Sequence, residues 1–326
     1  MGSLLEGLRQ TFPSRPSFTE EHLSDLSEKV YIVTGANTGV GKELAQILYL
    51  KNAKVYVAAR SEAKGLQAIE DIKSQVPTSS GQLVFLSLDL ADLTSVKNAA
   101  QEFISQESRL DVLFNNAGVM KPPEGSRSVQ GHELQIGVNN VGTFLFTKLL
   151  TPLLQKTAKT EPAASVRVVW LSSAAGDVWS PPGGVPMDKL EWQNSPQGLA
   201  AYSISKAGNY LQAVEYAKRY ADDGIVSVAV NPGNLKSELW RTWPAWTQWL
   251  MGFVFYPPKF GAYTELFAGL SPEVKVNNDL DWIVPWGRWT TIRPDLVQAT
   301  KSKTEGGTGI AKEFWEWNEK QIFDFI

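Results

Sequence analysis

Twelve residues decide the fold of this chain: VYIVTGANTGVG, residues 30–41. Val30–Thr34 has the apolar, β-branched composition of a short strand, and Lys42–Leu50 has the apolar spacing of a helix. The glycines between them are spaced G-x3-G-x-G, which differs from the commoner dinucleotide pattern G-x-G-x-x-G. Backbone N–H groups at such a junction can approach a pyrophosphate at the positive end of the helix dipole. A glycine-rich loop is often only a turn, but its place at the start of a strand–helix series favours dinucleotide binding.

The same alternation of strand and helix continues as far as Val230. Strands separated by helices of this size form a parallel sheet, and strands that are apolar throughout suit a sheet covered on both faces. The sequence therefore predicts an α/β fold: a doubly wound parallel sheet (Rossmann fold) with helices on both faces. The predicted strands are Val30–Thr34, Val55–Ala59, Leu83–Leu88, Val112–Phe114, Val166–Leu171 and Val226–Val230, and the predicted helices are Lys42–Leu50, Glu62–Val76, Leu93–Ile104, Leu134–Leu154 and Ala201–Tyr220.

The segments on either side of this series differ from it in composition. Residues 1–28 are polar and predict an N-terminal arm. Beyond Gly233 tryptophans recur, and because no long linker precedes them we expect an appendage of the same domain. We therefore predict a single domain over residues 29–326, with an aromatic-rich C-terminal extension over residues 275–326.

Composition excludes several classes of function. The 326 residues are 43% hydrophobic and 20% charged, which is typical of a folded globular protein. A formal net charge of −3 argues against nucleic acid as a partner, because binding to phosphates needs a basic face. With no cysteine and only His22 and His132, we expect no disulfide, thiolate or metal chemistry. No apolar run is long enough for a transmembrane segment and the N-terminal residues do not resemble a signal peptide, so we expect a cytoplasmic protein.

The end of the second predicted strand carries a cation where an NAD-binding site would have an acid. The sequence there is AARS, residues 58–61, and an acid at this point would bind the ribose 2′-hydroxyl. Arg60 can instead form charge-assisted hydrogen bonds to a 2′-phosphate, with Lys64 assisting from the following helix. The alternative is a solvated loop charge. Together with the glycine loop, Arg60 favours NADP(H) over NAD(H).

A tyrosine and a lysine lie four residues apart in a predicted helix, in the segment YSISK, residues 202–206. Side chains at this spacing share one helix face, so Tyr202 and Lys206 project in nearly the same direction. A phenol has a pKa of about 10 and is a poor base at neutral pH, whereas a nearby ammonium charge favours the phenolate. The same lysine could hold a ribose hydroxyl of the cofactor. Tyr-x3-Lys alone is a common coincidence, and its context in this chain makes it a catalytic candidate.

Taken together, these motifs resemble the short-chain dehydrogenase/reductase family, and their joint occurrence in the family's order is more specific than any one of them. TGANTG (residues 34–39) and GVNNVG (residues 137–142) are most similar to the retinol dehydrogenase and WW-domain oxidoreductase-like group. The N-terminal arm and PWGR, residues 285–288, resemble the fungal members, many of which serve secondary metabolism. The matching elements are Thr34–Gly41, Asp89, Asn115–Gly118, Asn139, Ser173, Tyr202–Lys206 and Asn231–Gly233.

The resemblance implies a role for each matching residue. Tyr202 is expected to be the general acid in carbonyl reduction and the general base in alcohol oxidation, with Lys206 lowering its pKa and binding the nicotinamide ribose. Ser173 is expected to hydrogen-bond the substrate oxygen, and Asn139 to hold a water that links Lys206 to solvent. Cofactor contacts are expected from Gly35, Asn37, Thr38, Gly39, Val40, Gly41, Arg60, Lys64, Asp89, Leu90, Asn116, Ala117, Gly118, Tyr202, Lys206, Pro232, Gly233 and Ser237.

Three of these assignments have a competitor in the sequence. Ser172 could replace Ser173 as the catalytic serine, and Asn140 could replace Asn139. The family pattern favours Ser173 and Asn139 in both cases. Asp89 follows a predicted strand and could instead only cap the next helix.

Two segments are candidates for the walls of a substrate pocket. Asp177–Gln197 lengthens the stretch between Ser173 and Tyr202 beyond that of minimal family members, and the alternative is a surface excursion without substrate contact. Residues 234–260 are expected to form a substrate lid. The aromatic residues of Trp240–Tyr256 indicate a large, apolar or ring-bearing substrate, while packing of a longer helix and attachment to a membrane surface are the alternatives.

The leading hypothesis is an NADP(H)-dependent carbonyl reductase or alcohol dehydrogenase for a hydrophobic small molecule, aromatic or polycyclic. The alternative is a catalytically silent NADP(H)-binding sensor or partner-binding protein, which the presence of all four residues Asn139, Ser173, Tyr202 and Lys206 disfavours. The same site could also act on a C–N bond, and nothing in the sequence separates the two reactions. Relatives often pair through the helices that carry Asn139 and Tyr202, so a homodimer is a candidate, although the C-terminal aromatics could cover that face.

Overall fold

A single mixed sheet runs through the part of the chain that the computed structural model describes, which comprises residues 7, 9–190, 196–236, 255–276 and 281–326. Its strands are β1 (Val30–Thr34), β2 (Lys54–Ala59), β3 (Gln82–Ser87), β4 (Val112–Asn115), β5 (Arg167–Leu171), β6 (Val226–Val230), β7 (Asp281–Val284) and β8 (Arg288–Thr291). They are ordered β3-β2-β1-β4-β5-β6-β7-β8 across the sheet. All neighbours are parallel except β8, which runs antiparallel to β7.

Helices cover both faces of this sheet. They are α1 (Gly39–Leu50), α2 (Glu62–Gln75), α3 (Leu93–Gln106), α4 (Leu134–Ile136), α5 (Thr143–Ala158), α6 (Ala174–Trp179), α7 (Gly198–Tyr220), α8 (Pro258–Leu270), α9 (Pro294–Thr300) and α10 (Ile310–Gln321). Buried side chains of α1, α2 and α8 share one apolar core with the sheet, and those of α3, α5, α7 and α10 share the core on the other face. Among the described helices, none combines the length and the apolarity that crossing a bilayer requires.

The predicted α/β class and the doubly wound parallel sheet are confirmed. Each predicted strand up to Val230 matches an observed one to within one residue at either end. One helix differs from its prediction: Leu134–Leu154 is not a continuous α-helix, because a π-helical turn over Gly137–Gly142 separates α4 from α5. The backbone of Gly142 lies against the carbonyl of Leu90, and a Cβ at this position would collide with it. Wide turns of this kind frequently occur at functional sites.

The C-terminal extension adds two strands to the sheet, which the sequence did not predict. β7 continues the parallel arrangement beside β6, and β8 returns antiparallel beside β7, so the parallel sheet gains one antiparallel strand at this edge. Each of these strands has only four residues, and four residues are too few for a clear alternation of apolar and polar side chains.

The last helix of the extension, α10, packs on the outside of α5 and α7. Trp315 is almost completely buried. Its ring lies 4.6 Å from that of Phe144 in α5 and 6.2 Å from that of Tyr216 in α7, measured between centroids. α10 therefore packs against α7 and, through Trp315, against Phe144 at the start of α5.

The N-terminal arm lies against α8. Phe18 is buried and meets the ring of Phe267 edge to face, at 6.2 Å between centroids. Glu20 forms an ion pair of 2.8 Å with Lys259 near the start of the helix. The described part of the arm is thus attached to the same layer as the glycine-loop helix α1.

Candidate active site

The glycine loop between β1 and α1 closes on the segment that follows β4. Ala117 N donates to the hydroxyl of Thr34 (2.9 Å), and the Asn116 amide donates to the carbonyl of Thr34 (2.7 Å). A Cβ on Gly41 would lie 2.5 Å from Asn116 Nδ2, so no larger residue fits there without displacing that amide. Gly35 has a φ of 69°, a conformation that glycine adopts at little cost. The sequence predicted both segments as cofactor contacts, and the structure brings them together.

The N-terminus of α1 has the properties of an anion site. Thr38 is the N-cap residue, but its side chain accepts no hydrogen bond from the helix, and the first turn contains no acid. The first N–H groups of a helix have no partner within the helix and carry a partial positive charge. At Gly39, with a φ of 58°, a Cβ would meet no atom within 4 Å, so this side of the loop is open. The loop therefore suits the pyrophosphate of a dinucleotide.

The predicted adenosine contacts lie at the ends of β2 and β3, beside the glycine loop. Arg60 directly follows β2 and is exposed, as is Lys64 in the first turn of α2. In the described part of the chain Arg60 forms no ion pair. Asp89 accepts a hydrogen bond from Ala91 N at 3.0 Å. The cap of α3 is Asp92, so the alternative role of Asp89 as that cap is wrong.

Tyr202 and Ser173 come from different elements and meet above the end of β5. Ser173 is the N-cap residue of α6, and its side chain faces the phenol of Tyr202 in α7, close enough to influence its pKa. Burial raises the pKa of Tyr202 to about 12, and the polar interaction with Ser173 opposes this shift. We expected the charge of Lys206 to lower the pKa of Tyr202. In this structure burial dominates, and the pKa of Tyr202 lies above its ordinary value.

Lys206 lies beside Tyr202 on the same face of α7. Its Nζ is 5.9 Å from the centre of the Tyr202 ring. Nζ donates to the carbonyl of Leu171 at the end of β5 (2.6 Å) and to Asn209 Oδ1 (3.4 Å). Burial lowers the pKa of Lys206 to about 8. The spacing of four residues therefore places a phenol and an ammonium side by side, as the sequence predicted.

Asn139 lies in the π-helical turn and holds the segment after β4. Its amide accepts from Val119 N (2.8 Å) and donates to Val119 O (3.0 Å) and to Ser205 Oγ (2.9 Å). The backbone carbonyl of Asn139 accepts from Asn209 Nδ2 at 2.7 Å. Asn209 thus bridges Lys206 and Asn139 directly, a contact that the sequence analysis missed. Its only signal was its position three residues after the lysine, on the same side of the helix.

The two competing residues have structural contacts instead. Ser172 is buried and donates its hydroxyl to the carbonyl of Lys206 (2.7 Å). Asn140 donates to the carbonyl of Ser205 (2.9 Å) and faces α7. Both side chains therefore anchor α7, whereas Ser173 is the serine that reaches the Tyr202 hydroxyl.

The loop after β6 is held by its own residues and by the C-terminal extension. Asn231 Oδ1 accepts a hydrogen bond from Gly233 N at 3.1 Å. A Cβ on Gly233 would lie 2.9 Å from the ring of Pro285, which belongs to the turn between β7 and β8. Pro232 and Gly233 are thus fixed at the carboxyl edge of the sheet. The predicted contact Ser237 and most of the predicted lid, residues 237–254, lie outside the described residues.

Arg293 fixes the segment after Ser173, and the sequence analysis missed it. Its guanidinium donates to the carbonyls of Asp177 (2.8 Å), Ser180 (3.2 Å) and Pro181 (3.1 Å), and it pairs with Asp295 at 2.5 Å. Burial raises the pKa of Asp177, whose carboxylate accepts from Arg293 N. The C-terminal extension therefore holds the described part of the predicted pocket wall. Residues 191–195 of that wall lie outside the described residues.

The sequence and the fold were compared with known proteins. The sequence pattern of the short chain dehydrogenase family matches residues 29–185. A short-chain dehydrogenase/reductase of Phomopsis amygdali is 53% identical over 99% of this chain and 98% of its own length. The chain is a short-chain dehydrogenase/reductase. A second relative of the same description, bet4 of Neocamarosporium betae, is 51% identical over 97% of this chain and 93% of its own length.

Solved structures share the fold of this chain. A Mycobacterium paratuberculosis protein is 28% identical, with a TM-score of 0.67, over 93% of this chain and 97% of its own. A 3-ketoacyl-(acyl-carrier-protein) reductase of Brucella melitensis, complexed with NADH, has a TM-score of 0.59 at 20% identity, over 77% of this chain and 93% of its own. The second likeness shows the fold alone. The two relatives confirm the resemblance to the short-chain dehydrogenase/reductase family that the sequence motifs indicated, and the chain is an oxidoreductase of this family.

Proposed function

We propose that this short-chain dehydrogenase/reductase is an NADP(H)-dependent carbonyl reductase or alcohol dehydrogenase for hydrophobic small molecules. One observation carries the proposal: the side chains of Tyr202 and Ser173 face each other, and Lys206 Nζ lies 5.9 Å from the centre of the tyrosine ring. A protonated phenol and a second hydroxyl that converge on one point can both bind a carbonyl oxygen. The role in fungal secondary metabolism and the cytoplasmic location remain predictions.

The chain's own residues perform the proton transfer in this proposal. Tyr202 donates its proton to the substrate oxygen during reduction and accepts it back during oxidation. Ser173 donates a hydrogen bond to the same oxygen and so stabilises its developing negative charge. Lys206 stabilises the phenolate after the proton has left. Asn139, through Asn209, holds Lys206 in place, and the bound nicotinamide supplies or accepts the hydride.

The described residues fit a dinucleotide. The uncapped N-terminus of α1 and the open side of Gly39 suit a pyrophosphate. Arg60 is exposed at the end of β2, without an ion pair in the described part of the chain, and is therefore available for a 2′-phosphate. Lys64 is exposed one turn further on. These two cations are the basis for proposing NADP(H) rather than NAD(H).

Replacement of Arg60 tests the cofactor preference. In Arg60→Ala, we expect the dissociation constant of NADPH to rise by about 10- to 100-fold, since a hydrogen bond to a charged group contributes about 1.5–3 kcal/mol. The affinity for NADH, which lacks the 2′-phosphate, should not change. Fluorescence titration with both cofactors measures the difference. Lys73→Ala in α2, which removes an exposed cation further along the same helix, is the control. An equal loss for both cofactors would contradict the assignment.

The surroundings of Tyr202 support an apolar substrate. Met120, Ala175 and Leu199 form an apolar cluster around the tyrosine. A carbonyl carbon next to Tyr202 would therefore carry apolar substituents, and the predicted aromatic lid favours rings.

A carbonyl panel tests the proposed reaction. Purified protein with NADPH should reduce aromatic or polycyclic ketones and aldehydes faster than small aliphatic ones, followed by the loss of NADPH absorbance. The same panel includes cyclic imines. Faster reduction of the imines than of the carbonyl compounds would indicate that the enzyme acts on C–N rather than C–O bonds. Cofactor binding without turnover on any member of the panel would contradict the enzyme assignment and support the silent sensor.

The homodimer that the sequence analysis considered would use the outer faces of α5 and α7. In this chain α10 packs on those faces, with Trp315 against Phe144 and Tyr216. A pair of subunits joined through α5 and α7 would have to displace α10. We therefore propose that a homodimer of this chain, where one forms, uses another surface.

A further inference from the structure

A buried acid in α8 has no part in the site described so far. Glu265 is completely inaccessible to solvent. Neither of its carboxylate oxygens has a hydrogen-bond partner in the described part of the chain. Glutamate is almost never fully buried unless it is paired, because an unpaired buried charge is costly. The position of this side chain therefore needs an explanation.

Two glycines on the same helix face locate the Glu265 side chain. Gly261 and Gly269 lie four residues before and after it, so all three residues face the same way. A Cβ on Gly261 would lie 3.4 Å from Pro232 Cβ, and a Cβ on Gly269 would collide with the ring of Phe114 in β4. Glu265 therefore points between the loop after β6 and strand β4, beneath the carboxyl edge of the sheet.

Lys206 reaches the same edge from the opposite face. α7 belongs to the core layer across the sheet from α8, and Lys206 Nζ contacts the carbonyl of Leu171 at the end of β5. Burial raises the pKa of Glu265 to about 8, and the Lys206 charge opposes this shift. Burial lowers the pKa of Lys206, and the Glu265 charge opposes that shift. The negative charge of Glu265 therefore favours the protonated form of Lys206, and the positive charge of Lys206 favours the ionised form of Glu265.

Other ionisable groups around α8 are directed elsewhere. Among the described residues, Lys206 is the only one whose charge shifts the pKa of Glu265. Among the described side chains on α8 and on the elements packed against it, Lys42 pairs with Asp71 (2.6 Å), Lys259 pairs with Glu20 (2.8 Å), and Arg167 donates to the carbonyls of Ala268 and Ser271 (both 2.9 Å). Glu43 and Tyr49 of α1 and Tyr263 of α8 also carry ionisable groups, and none of them shifts the pKa of Glu265. Among these described groups, Lys206 is thus the one whose charge acts on Glu265.

We propose that Glu265 is a positioning residue of the active site, whose carboxylate retains the proton on Lys206 from behind the sheet. The inference rests on the proposed function, because Lys206 has a catalytic role only there. Glu265 ionises over the pH range in which the buried lysine would lose its proton, so the two groups titrate as a pair. The ammonium beside Tyr202 therefore persists to a higher pH than burial alone would allow.

The charge of Lys206 can be measured directly, without substrate or cofactor. NMR titration of the full chain labelled with ¹³C-lysine gives the pKa of Lys206, and Lys206→Met identifies its signal. In Glu265→Gln and Glu265→Leu, we expect this pKa to fall by about one unit, which is a tenfold change in the ratio of charged to neutral lysine at a given pH. Glu273→Gln, which removes an exposed acid just after α8, should leave it unchanged. An unchanged Lys206 pKa in both Glu265 variants overturns the proposal.

A stability measurement separates this role from a structural one. In the folded protein the pKa of Glu265 lies above its ordinary value of 4.5, because burial favours the neutral carboxyl. The folded protein therefore loses stability as the pH rises through about 8 and the buried carboxyl ionises. Glu265→Leu cannot ionise, and its melting temperature should rise relative to that of the unmodified protein between pH 5 and pH 9. A melting temperature that is equally lowered at every pH would indicate a structural role and overturn the proposal.

Failure of this inference can be told apart from failure of the proposed function. Absence of carbonyl turnover by the unmodified protein contradicts the function, whereas the lysine titration still tests the pair. If the unmodified protein is active, both Glu265 variants should lose turnover at pH 8 to the same extent, because both lack the charge. Equal activity of the variants and the unmodified protein at pH 8 overturns the inference and leaves the function intact.

Discussion

Replacement of Tyr202 by phenylalanine should lower the rate of carbonyl reduction by about 10³-fold, since a positioned general acid typically contributes 10²–10⁴-fold. The variant loses only the hydroxyl that faces Ser173, and the buried ring keeps its place beside Met120 and Ala175. Affinity for NADPH should stay within about twofold, because Arg60 and the glycine loop are unchanged. Steady-state rates and fluorescence titration of the same preparation measure the two quantities.

A second tyrosine on α7 provides a matched control. Tyr216 is fully buried, and its hydroxyl shares a hydrogen bond of 3.0 Å with Thr151. Tyr216→Phe removes a buried hydroxyl from the same helix, away from Ser173, and should cost about 1 kcal/mol of stability while preserving the rate. If Tyr202→Phe retained normal turnover, proton transfer by this phenol would be wrong. If both variants lost activity equally, the loss would reflect damage to α7 rather than to the chemistry.

The fold was predictable from sequence as far as Val230, because each strand there is a nearly continuous apolar run between helices of amphipathic spacing. In the central strands the runs are apolar because both faces are buried: all five residues of β1 are buried. The two strands of the C-terminal extension were not predictable. β7 and β8 have four residues each, and a tryptophan in each suggested an aromatic appendage. β7 pairs with β6, which lies about 50 residues away in sequence, and β8 pairs only with β7.

The candidate site was predictable where its residues follow a local rule. Tyr202 and Lys206 share a helix face by their spacing, and the glycine loop follows directly from the junction of β1 and α1. Contacts between distant segments were not predictable. Arg293 reaches the carbonyl of Asp177, 116 residues earlier, and the charge of Lys206 acts on Glu265 from the other face of the sheet. No periodicity in the sequence marks either contact, because each arises from packing of complete elements.

Replacement of Trp315 by alanine should lower the free energy of unfolding by about 3–5 kcal/mol, the range for deleting a large buried aromatic side chain. The indole is 1% exposed. It meets the Phe144 ring edge to face and lies under the Arg219 guanidinium, at 4.7 Å from its ring centre. Urea unfolding, followed in parallel by tryptophan fluorescence and far-UV circular dichroism, measures the loss.

The shape of that unfolding transition tests the proposed domain organisation. If residues 29–326 form one folding unit, Trp315→Ala should shift a single transition, with both probes coincident. The control is Trp317→Ala, which removes a half-buried indole stacked on Phe314 from the same helix and should cost only about 1 kcal/mol. The alternative result is two separate unfolding transitions, with Trp315→Ala shifting the midpoint of only the one of smaller amplitude. That result would mean that α10 unfolds independently of the rest of the domain. The shift of a single transition is expected because α10 covers α7, the helix that carries both Tyr202 and Lys206.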